Sequence, residues 1–210
     1  MEAGALAPYE QALRNSGPLG LHTEDGRLVT LDIARWLGAA DDADRTVLDR
    51  CRGPVLDVGC GPGRFVSELN ALGIAALGVD IAETAVALTR GQGFPALLRS
   101  VFGDLPGEGR WPTVLLIDGN IGIGGDPQRL LTRIGRLLAN DGRLIVETHP
   151  DPDAHDILEV RFTERGRPVG PPFDWAHVGE AALQQYAPDA GYAVVERWSS
   201  DGRSFATLAR

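Results

Sequence analysis

Residues 55–65 read VLDVGCGPGRF, and this stretch decides the fold. A short apolar run, residues 55–58, leads into three glycines that alternate with other residues: Gly59, Gly61 and Gly63. The pattern predicts a buried strand and a tight turn, because glycine lets the backbone approach a ligand with no Cβ in between. A helix predicted over residues 64–72 would present its free N–H groups at the same point. The stretch therefore predicts a cofactor site at the carboxyl end of a strand.

Strands and helices alternate regularly after this turn. Asp126 and Pro127 are typical of a helix start, and Asp201-Gly202 is typical of a hairpin turn between two short strands. Further strands are predicted at residues 74–79, 96–101, 113–117, 144–147, 192–198 and 204–208, with helices at 82–90, after 126 and at 178–187, and a turn at 140–142. The order predicts an α/β fold with a Rossmann-like, doubly wound seven-stranded sheet, mostly parallel, that ends in a C-terminal antiparallel hairpin strand.

The remaining segments are less regular, and we expect them to complete a single domain of residues 1–210. In the N-terminal lid segment, residues 1–27, a helix is predicted near Tyr9–Asn15, followed by loop. Residues 28–37 read as a helix, and Asp41 or Asp42 as the cap of another that runs to about Cys51. Residues 151–175 read as an insertion on the substrate side, with a hairpin around residues 159–169.

Composition excludes several classes of function. The formal charge is −9 and no dense run of arginine occurs, which argues against a nucleic-acid partner. All 20 basic residues are arginine, so Schiff-base lysines and ordinary P-loops are excluded, and codon use of a high-GC bacterium is the simple explanation. The two cysteines form no disulfide framework, and no signal peptide or membrane span is recognisable, so we expect a cytoplasmic protein.

A dinucleotide cofactor fits this turn poorly. The fingerprint G-x-G-x-x-G places its third glycine where this chain has Arg64. Asp57 would repel a bound pyrophosphate, whereas it would attract an ammonium or a sulfonium. Asp80 nevertheless follows at about the spacing of the carboxylate that accepts ribose hydroxyls.

Residues 56–63 resemble the first motif of the class I S-adenosylmethionine (SAM)-dependent methyltransferases, which is hydrophobic-Asp/Glu-x-Gly-x-Gly-x-Gly. Residues 79–81 resemble the second motif, residues 102–106 the third and residues 114–118 the fourth. The terminal hairpin is similar to the one that inserts an antiparallel strand in this family. The resemblance covers about residues 28–210 and implies SAM as cofactor and S-adenosylhomocysteine (SAH) as product.

The resemblance also implies roles for individual residues. Gly59, Cys60, Gly61 and Gly63 would pass along the methionine and ribose of SAM, and Asp57 would orient the amino group. Asp80 would bind the ribose hydroxyls. The adenine would contact Ile81, Phe102 and Asp104, and Tyr9 would close over the cofactor. No metal site is predicted.

Residues after the fourth and fifth strands are candidates for the acceptor side. Asp118 opens a glycine-rich loop that reads either as an anion nest or as a flexible connection. His149 follows the fifth strand, where a neutral imidazole could take a proton from a hydroxyl. We therefore predict Asp118 and His149 as catalytic residues, with Asp118 also near the cofactor. His155 and His177 are further candidates, and Phe173 and Trp175 read either as pocket wall or as core.

The function predicted is transfer of a methyl group from SAM to a small-molecule acceptor, with oxygen, nitrogen or carbon as the methylated atom left open. No Asn/Asp-Pro-Pro-Tyr motif follows the fourth strand, which argues against nucleic-acid or protein amino groups. The alternatives are an NAD(P)-dependent oxidoreductase and a SAM-binding protein without transfer activity. The sequence does not predict the oligomeric state.

Overall fold

The computed structural model describes residues 3–210, so residues 1 and 2 of the expected lid segment lie outside it. The strands in chain order are β1 (Leu19–Thr23), β2 (Leu28–Leu31), β3 (Val55–Val58), β4 (Ala76–Asp80), β5 (Ala96–Leu98), β6 (Trp111–Leu116), β7 (Leu138–Thr148), β8 (His155–Glu164), β9 (Arg167–Val178), β10 (Ala193–Ser200) and β11 (Arg203–Ala209). The α-helices are α1 (Ala7–Asn15), α2 (Ile33–Leu37), α3 (Asp42–Leu48), α4 (Arg64–Ala71), α5 (Glu83–Gly91), α6 (Pro127–Leu137) and α7 (Glu180–Asp189). Short 3-10 helices span Ala3–Leu6 and Asn120–Gly122.

A seven-stranded sheet forms the centre of the molecule, in the order β10-β11-β7-β6-β3-β4-β5. Six of the strands run in the same direction, and β11 lies antiparallel between β7 and β10. Ser200 pairs with Arg203 across the predicted Asp-Gly turn. The predicted fold class, including the terminal hairpin, is confirmed.

Helices cover both faces of this sheet because their apolar stripes are buried against it. In α6 the Asp126 side chain accepts a hydrogen bond of 2.9 Å from the Arg129 N–H, as its sequence predicts. The stripe behind this cap is fully buried: Leu130, Leu131, Ile134 and Leu137. On α3, Asp41 and Asp44 form a capping box.

A second, four-stranded sheet has the order β2-β1-β8-β9 and is antiparallel throughout. Two distant segments build it, because β1 pairs with β8 about 140 residues later in the chain. The hairpin predicted around residues 159–169 is present and longer, since β8 and β9 together span 155–178.

Two sequence predictions are wrong in this second sheet. Residues 16–27 were expected as loop, but residues 19–23 form β1. Residues 28–37 were expected as one helix, but the first four residues form β2 and only Ile33–Leu37 is helical. The spacing of the apolar residues is compatible with a helix, but residues 28–31 pair with β1 and form a strand instead. The exposure of the side chains alternates along β2, as is typical of a half-buried strand.

The predicted turn at residues 140–142 lies inside β7. Trp111 pairs with Leu138 and Thr113 with Arg143, so the intervening residues of β7 bulge out of the ladder. The fifth parallel strand is therefore longer than the predicted residues 144–147. Within residues 3–210, we find no helix with the length and apolarity needed to cross a membrane.

Candidate functional site

The glycine turn after β3 has the tight backbone that its sequence predicts. Gly59, Gly61 and Gly63 have φ angles of +72°, +54° and +91°, a region that L side chains rarely adopt. A Cβ on Gly59 would lie 2.5 Å from Nδ2 of Asn120, which donates hydrogen bonds of 3.0 Å to the carbonyls of Val58 and Gly59. The loop that follows β6 therefore stabilises the turn through the Asn120 side chain.

Gly63 differs from the other two glycines, because it is not among the residues that line the cavity beside the turn. It is the N-cap residue of α4, and a Cβ there would meet Thr89 Oγ1 at 2.6 Å. The Thr89 hydroxyl donates to the carbonyl of Gly61. Gly63 therefore shapes the turn through helix packing.

Two buried carboxylates flank the turn. Asp80, at the end of β4, accepts hydrogen bonds from the N–H groups of Gly61 (2.9 Å) and Ala82 (2.8 Å). Burial raises the pKa of Asp80. Burial, with Asp118 adding and Arg64 opposing, raises the pKa of Asp57 to about 7. Both carboxylates line the cavity, where a cation or hydroxyl groups could reach them.

Asp118 lies in a buried ion network beneath the cavity. Its Oδ2 lies 2.6 Å from Nη2 of Arg64, and its Oδ1 lies 3.4 Å from both Arg35 and Arg203. Its backbone N–H donates to Glu147 at 2.7 Å. The network joins three arginines and four carboxylates from separate elements: Arg35, Arg64, Arg203, Asp41, Asp44, Asp118 and Glu147. Because both oxygens of Asp118 face arginines, the geometry favours a positioning role over proton abstraction.

At the far end of the turn, Ile81 and Phe102 line the cavity together with Ser100 and Val101. The guanidinium of Arg129 lies 4.4 Å from the centre of the Phe102 ring. Asp104 is exposed and does not line the cavity. β5 ends at Leu98, so the loop that follows it lines the cavity with residues 100–102, which include the predicted Phe102.

The cavity measures about 1210 Å³ and lies between the carboxyl edge of the large sheet and the second sheet. This exceeds the range of about 300–1,000 Å³ that is usual for one small ligand. Tyr9 and Cys60 also line it. The Cys60 thiol packs closely against Gly78, since a Cβ on Gly78 would lie 2.6 Å from the Cys60 Sγ. Burial raises the pKa of the Cys60 thiol.

Five aromatic side chains line one side of the cavity, and we call them the aromatic wall. Adjacent ring centres lie 4.9–6.4 Å apart along the order Trp36, Tyr9, Phe162, Phe173, Trp175. They come from α1, α2, β8 and β9, so the second sheet and the N-terminal segment build this surface jointly.

Two histidines meet at the rim of the cavity. The ring centres of His149, after β7, and His177, on β9, lie 4.8 Å apart. The His149 Nδ1 accepts a hydrogen bond of 3.1 Å from the Asp151 N–H, so neutral His149 carries its proton on Nε2. Burial and the neighbouring His149 lower the pKa of His177. His155 is exposed and hydrogen-bonds to Tyr186 outside this cavity.

The model of a methyltransferase domain family matches residues 35–197, more than three quarters of the chain. This chain belongs to the methyltransferase domain family. No curated protein matches this chain at a significant level.

Solved structures show the same fold. A SAM-dependent methyltransferase from Bacteroides fragilis, solved in complex with SAH, is 20% identical with a TM-score of 0.77, covering 97% of this chain and 92% of the other. The methyltransferase CcbJ from Streptomyces caelestis is 18% identical with a TM-score of 0.63, covering 83% and 91%. A sugar N-methyltransferase from Streptoalloteichus is 17% identical with a TM-score of 0.59, covering 83% and 87%. The methyltransferase therefore has the fold of the SAM-dependent enzymes.

The sequence did not predict two parts of the methyltransferase site. The ion network is one, although Arg64 stood out as the departure from the dinucleotide pattern. Asn120, which holds the glycine turn, is the other, and its place after the fourth predicted strand was the available signal. Among residues 3–210, no group of three metal-ligating side chains is suited to hold a metal ion.

Proposed function

We propose that this methyltransferase transfers the methyl group of SAM to a small-molecule acceptor. The observation that carries the proposal is the glycine turn flanked by two buried carboxylates, Asp57 and Asp80, that open to one large cavity. When bound, SAM supplies a methyl group that its sulfonium has already activated.

The residues at this turn fit SAM. Asp80 uses one hydrogen bond on each oxygen, and a carboxylate offers about four acceptor positions, so two ribose hydroxyls can still be bound. Asp57 has a pKa of about 7, raised chiefly by burial, and an ammonium beside it would stabilise its charged form. Ile81 and Phe102 provide apolar surface for the adenine.

The remaining site residues take positioning roles in this proposal. Asp118 holds Arg64 and Arg35 below the methionine end, and Tyr9 covers the turn, where a Cβ on Gly61 would lie 3.4 Å from its hydroxyl. His149 orients groups at the acceptor end through its Nε2 proton. Residues 1–27 and 151–175 form the lid of a single domain that spans residues 1–210.

The acceptor is a small molecule rather than a nucleic acid in this proposal, which the net charge of −9 supports. The sugar N-methyltransferase with the same fold is consistent with a metabolite as acceptor. We place the enzyme in a bacterium, since the three structures named above come from bacteria, and we propose the cytoplasm as its compartment, as the sequence predicts.

Calorimetric titration with SAM, SAH, NAD and NADP tests the cofactor. We expect binding of SAM and SAH only; binding of a nicotinamide nucleotide instead would overturn the proposal. Asp80→Asn should weaken SAH binding about 10- to 100-fold, because hydrogen bonds to a charged group are lost. Asp104→Asn is the matched control, since Asp104 is exposed, and it should bind SAH as the native protein does.

A further inference from the structure

The aromatic wall is a concentrated surface, and nothing in cofactor binding accounts for all of it. The chain has six Phe, four Trp and three Tyr, and five of these thirteen residues form the wall. Two of them, Phe173 and Trp175, lie on β9 with one residue between them, so they share a face of that strand. Both side chains line the cavity.

His177 continues the same face of β9 two residues further along. It is half-buried and lines the cavity beside the wall. Its neighbours are His149 from the end of β7, Asp156 from the paired strand β8, and Arg27 from the turn before β2. Burial and His149 outweigh Asp156, so the pKa of His177 is lowered and its imidazole is neutral near pH 7.

The two histidines therefore differ in what they can do. The Nδ1 of His149 accepts from the Asp151 N–H, so its remaining nitrogen is a donor when the ring is neutral. A neutral His177 keeps one nitrogen with a lone pair that can accept a proton. Of this pair, His177 is the one suited to accept a proton within the cavity.

Charge at the wall also restricts the ligand. Four arginines line the cavity. Arg99 and Arg129 lie beside residues 100–102, where Arg129 stacks on Phe102. Arg35 and Arg64 are ion-paired with Asp44 and Asp118, which neutralises them. An anionic ligand would find no free partner in these two side chains. A flat, uncharged ring would pack on the wall with favourable offset or edge-to-face geometry.

We infer that the acceptor is a planar aromatic molecule that packs on the aromatic wall and presents a hydroxyl or amine to His177, which accepts the proton released on methyl transfer. This inference rests on the proposed function. The acceptor's lone pair forms the bond to the methyl carbon as the carbon–sulfur bond breaks, the sulfur keeps that electron pair, and the acceptor's proton passes to His177. The positive charge that leaves the sulfonium thus ends on the imidazolium.

The test is ligand-observed NMR on protein saturated with SAH, using matched aromatic and saturated fragments that are all uncharged: phenol with cyclohexanol, and benzyl alcohol with cyclohexylmethanol. Calorimetry first establishes SAH binding, so failure of the proposed function appears there and not in the fragment data. We expect phenol and benzyl alcohol to bind about two- to tenfold more tightly than their saturated partners. Equal binding within the pairs, or no fragment binding at all, would overturn the inference.

Variants locate the fragment site. Trp175→Leu should remove the aromatic preference, and Phe173→Leu tests the same face if the first variant fails to fold. Trp198→Leu is the matched control, because Trp198 stacks on Phe205 outside this cavity. An aromatic preference that survives both wall substitutions would contradict the wall as the acceptor surface.

The His177 role is tested with the same fragments. Phenol should shift the NMR signal of the His177 ring, and His177→Leu, which has no hydrogen-bond acceptor, should remove the preference for phenol over toluene. His155→Leu is the matched control, since His155 is exposed and bonded to Tyr186. If His155→Leu and His177→Leu behave alike, or if phenol shifts only the ring of His149, the assignment of His177 is wrong.

Discussion

At the scale of single residues, the site depends on carboxylates whose surroundings disfavour their charge. Asp57 is 3% exposed, and burial with the neighbouring Asp118 holds its pKa at about 7. An unfolded aspartate titrates near pH 4, at about 3.9. Between these values the folded chain binds more protons than the unfolded chain, so the contribution of Asp57 to the free energy of unfolding falls as pH rises from about 4 to 7.

This shift predicts a pH dependence of cofactor binding. An ammonium beside Asp57 favours the ionised carboxylate, so below pH 7 the group must release a proton when SAH binds. The affinity should rise by up to about tenfold per pH unit toward pH 7 and level off above it. Calorimetry at pH 6 in two buffers of different ionisation enthalpy measures that proton. The Asp57→Asn variant should bind SAH more weakly and should release no proton on binding. If this variant releases the same number of protons as the native protein, the proton comes from another group.

The glycine turn gives a second prediction at this scale. Gly59→Ala should lower the free energy of unfolding by about 2–4 kcal/mol, because a Cβ at φ +72° is strained and displaces the Asn120 amide. Urea denaturation measures this cost. Gly91→Ala is the control: a Cβ there meets nothing within 4 Å, so the change should be neutral or slightly stabilising. Equal effects of the two substitutions would contradict the role of the turn.

At the scale of elements, α1 is fastened to the start of α5. The N-cap residue of α5, Ala82, offers no side-chain cap. Glu10 on α1 supplies one, with its Oε1 accepting from the N–H groups of Glu83 (2.8 Å) and Thr84 (3.4 Å). Tyr9, beside Glu10, is thereby held over the cavity.

Glu10→Ala should therefore cost about 1 kcal/mol of stability, as loss of a helix cap does, and should speed the release of SAH. Glu10→Gln keeps an oxygen acceptor and should preserve both properties. Glu10→Ala combined with Ala82→Ser gives α5 a cap of its own, which should restore stability without slowing release. Thermal unfolding and stopped-flow fluorescence measure the two effects, and native release rates in Glu10→Ala would rule out the fastening.

At the scale of the whole molecule, the ion network ties the C-terminal hairpin to the N-terminal half. Arg203 on β11 contacts Asp44 on α3 at 2.7 Å and Glu147 on β7 at 2.7 Å. Asp44 has a fully buried side chain, and its carboxylate pairs with Arg35, Arg64 and Arg203. The network therefore stabilises the packing of distant segments below the cavity.

Removing Arg203 should consequently be costly. Arg203→Met should lower the free energy of unfolding by about 3 kcal/mol, because it leaves buried carboxylates short of a partner. Arg197→Met is the matched control on the neighbouring strand, since Arg197 pairs with Glu180 at the exposed surface and should change stability by at most about 0.5 kcal/mol. Chemical denaturation compares the two, and similar costs would argue against the network.

The sequence predicts those features of the fold and the site whose residues lie close together in the chain. Asp57, Asp80 and the glycines lie in contiguous motifs, and the sheet follows from regular alternation, so these were predicted. In the second sheet only the β8–β9 hairpin was predicted. β1 and β2 were not, because β2 is four residues long and is stabilised by pairing with β1. The ion network joins residues from 35 to 203, and no sequence spacing records such contacts. The pairing of His177 with His149 follows only once the register of β9 is known.

The two-segment origin of the second sheet has a consequence for how specificity can change. Residues 19–31 and 155–178 build the sheet over the proposed acceptor end, whereas the glycine turn lies between them in the chain. Because the sheet is shared, exchanging either segment alone would leave β1 or β8 against a mismatched neighbour. A transplant of acceptor preference between relatives would have to move both segments as one module, and it could leave the cofactor half unaltered.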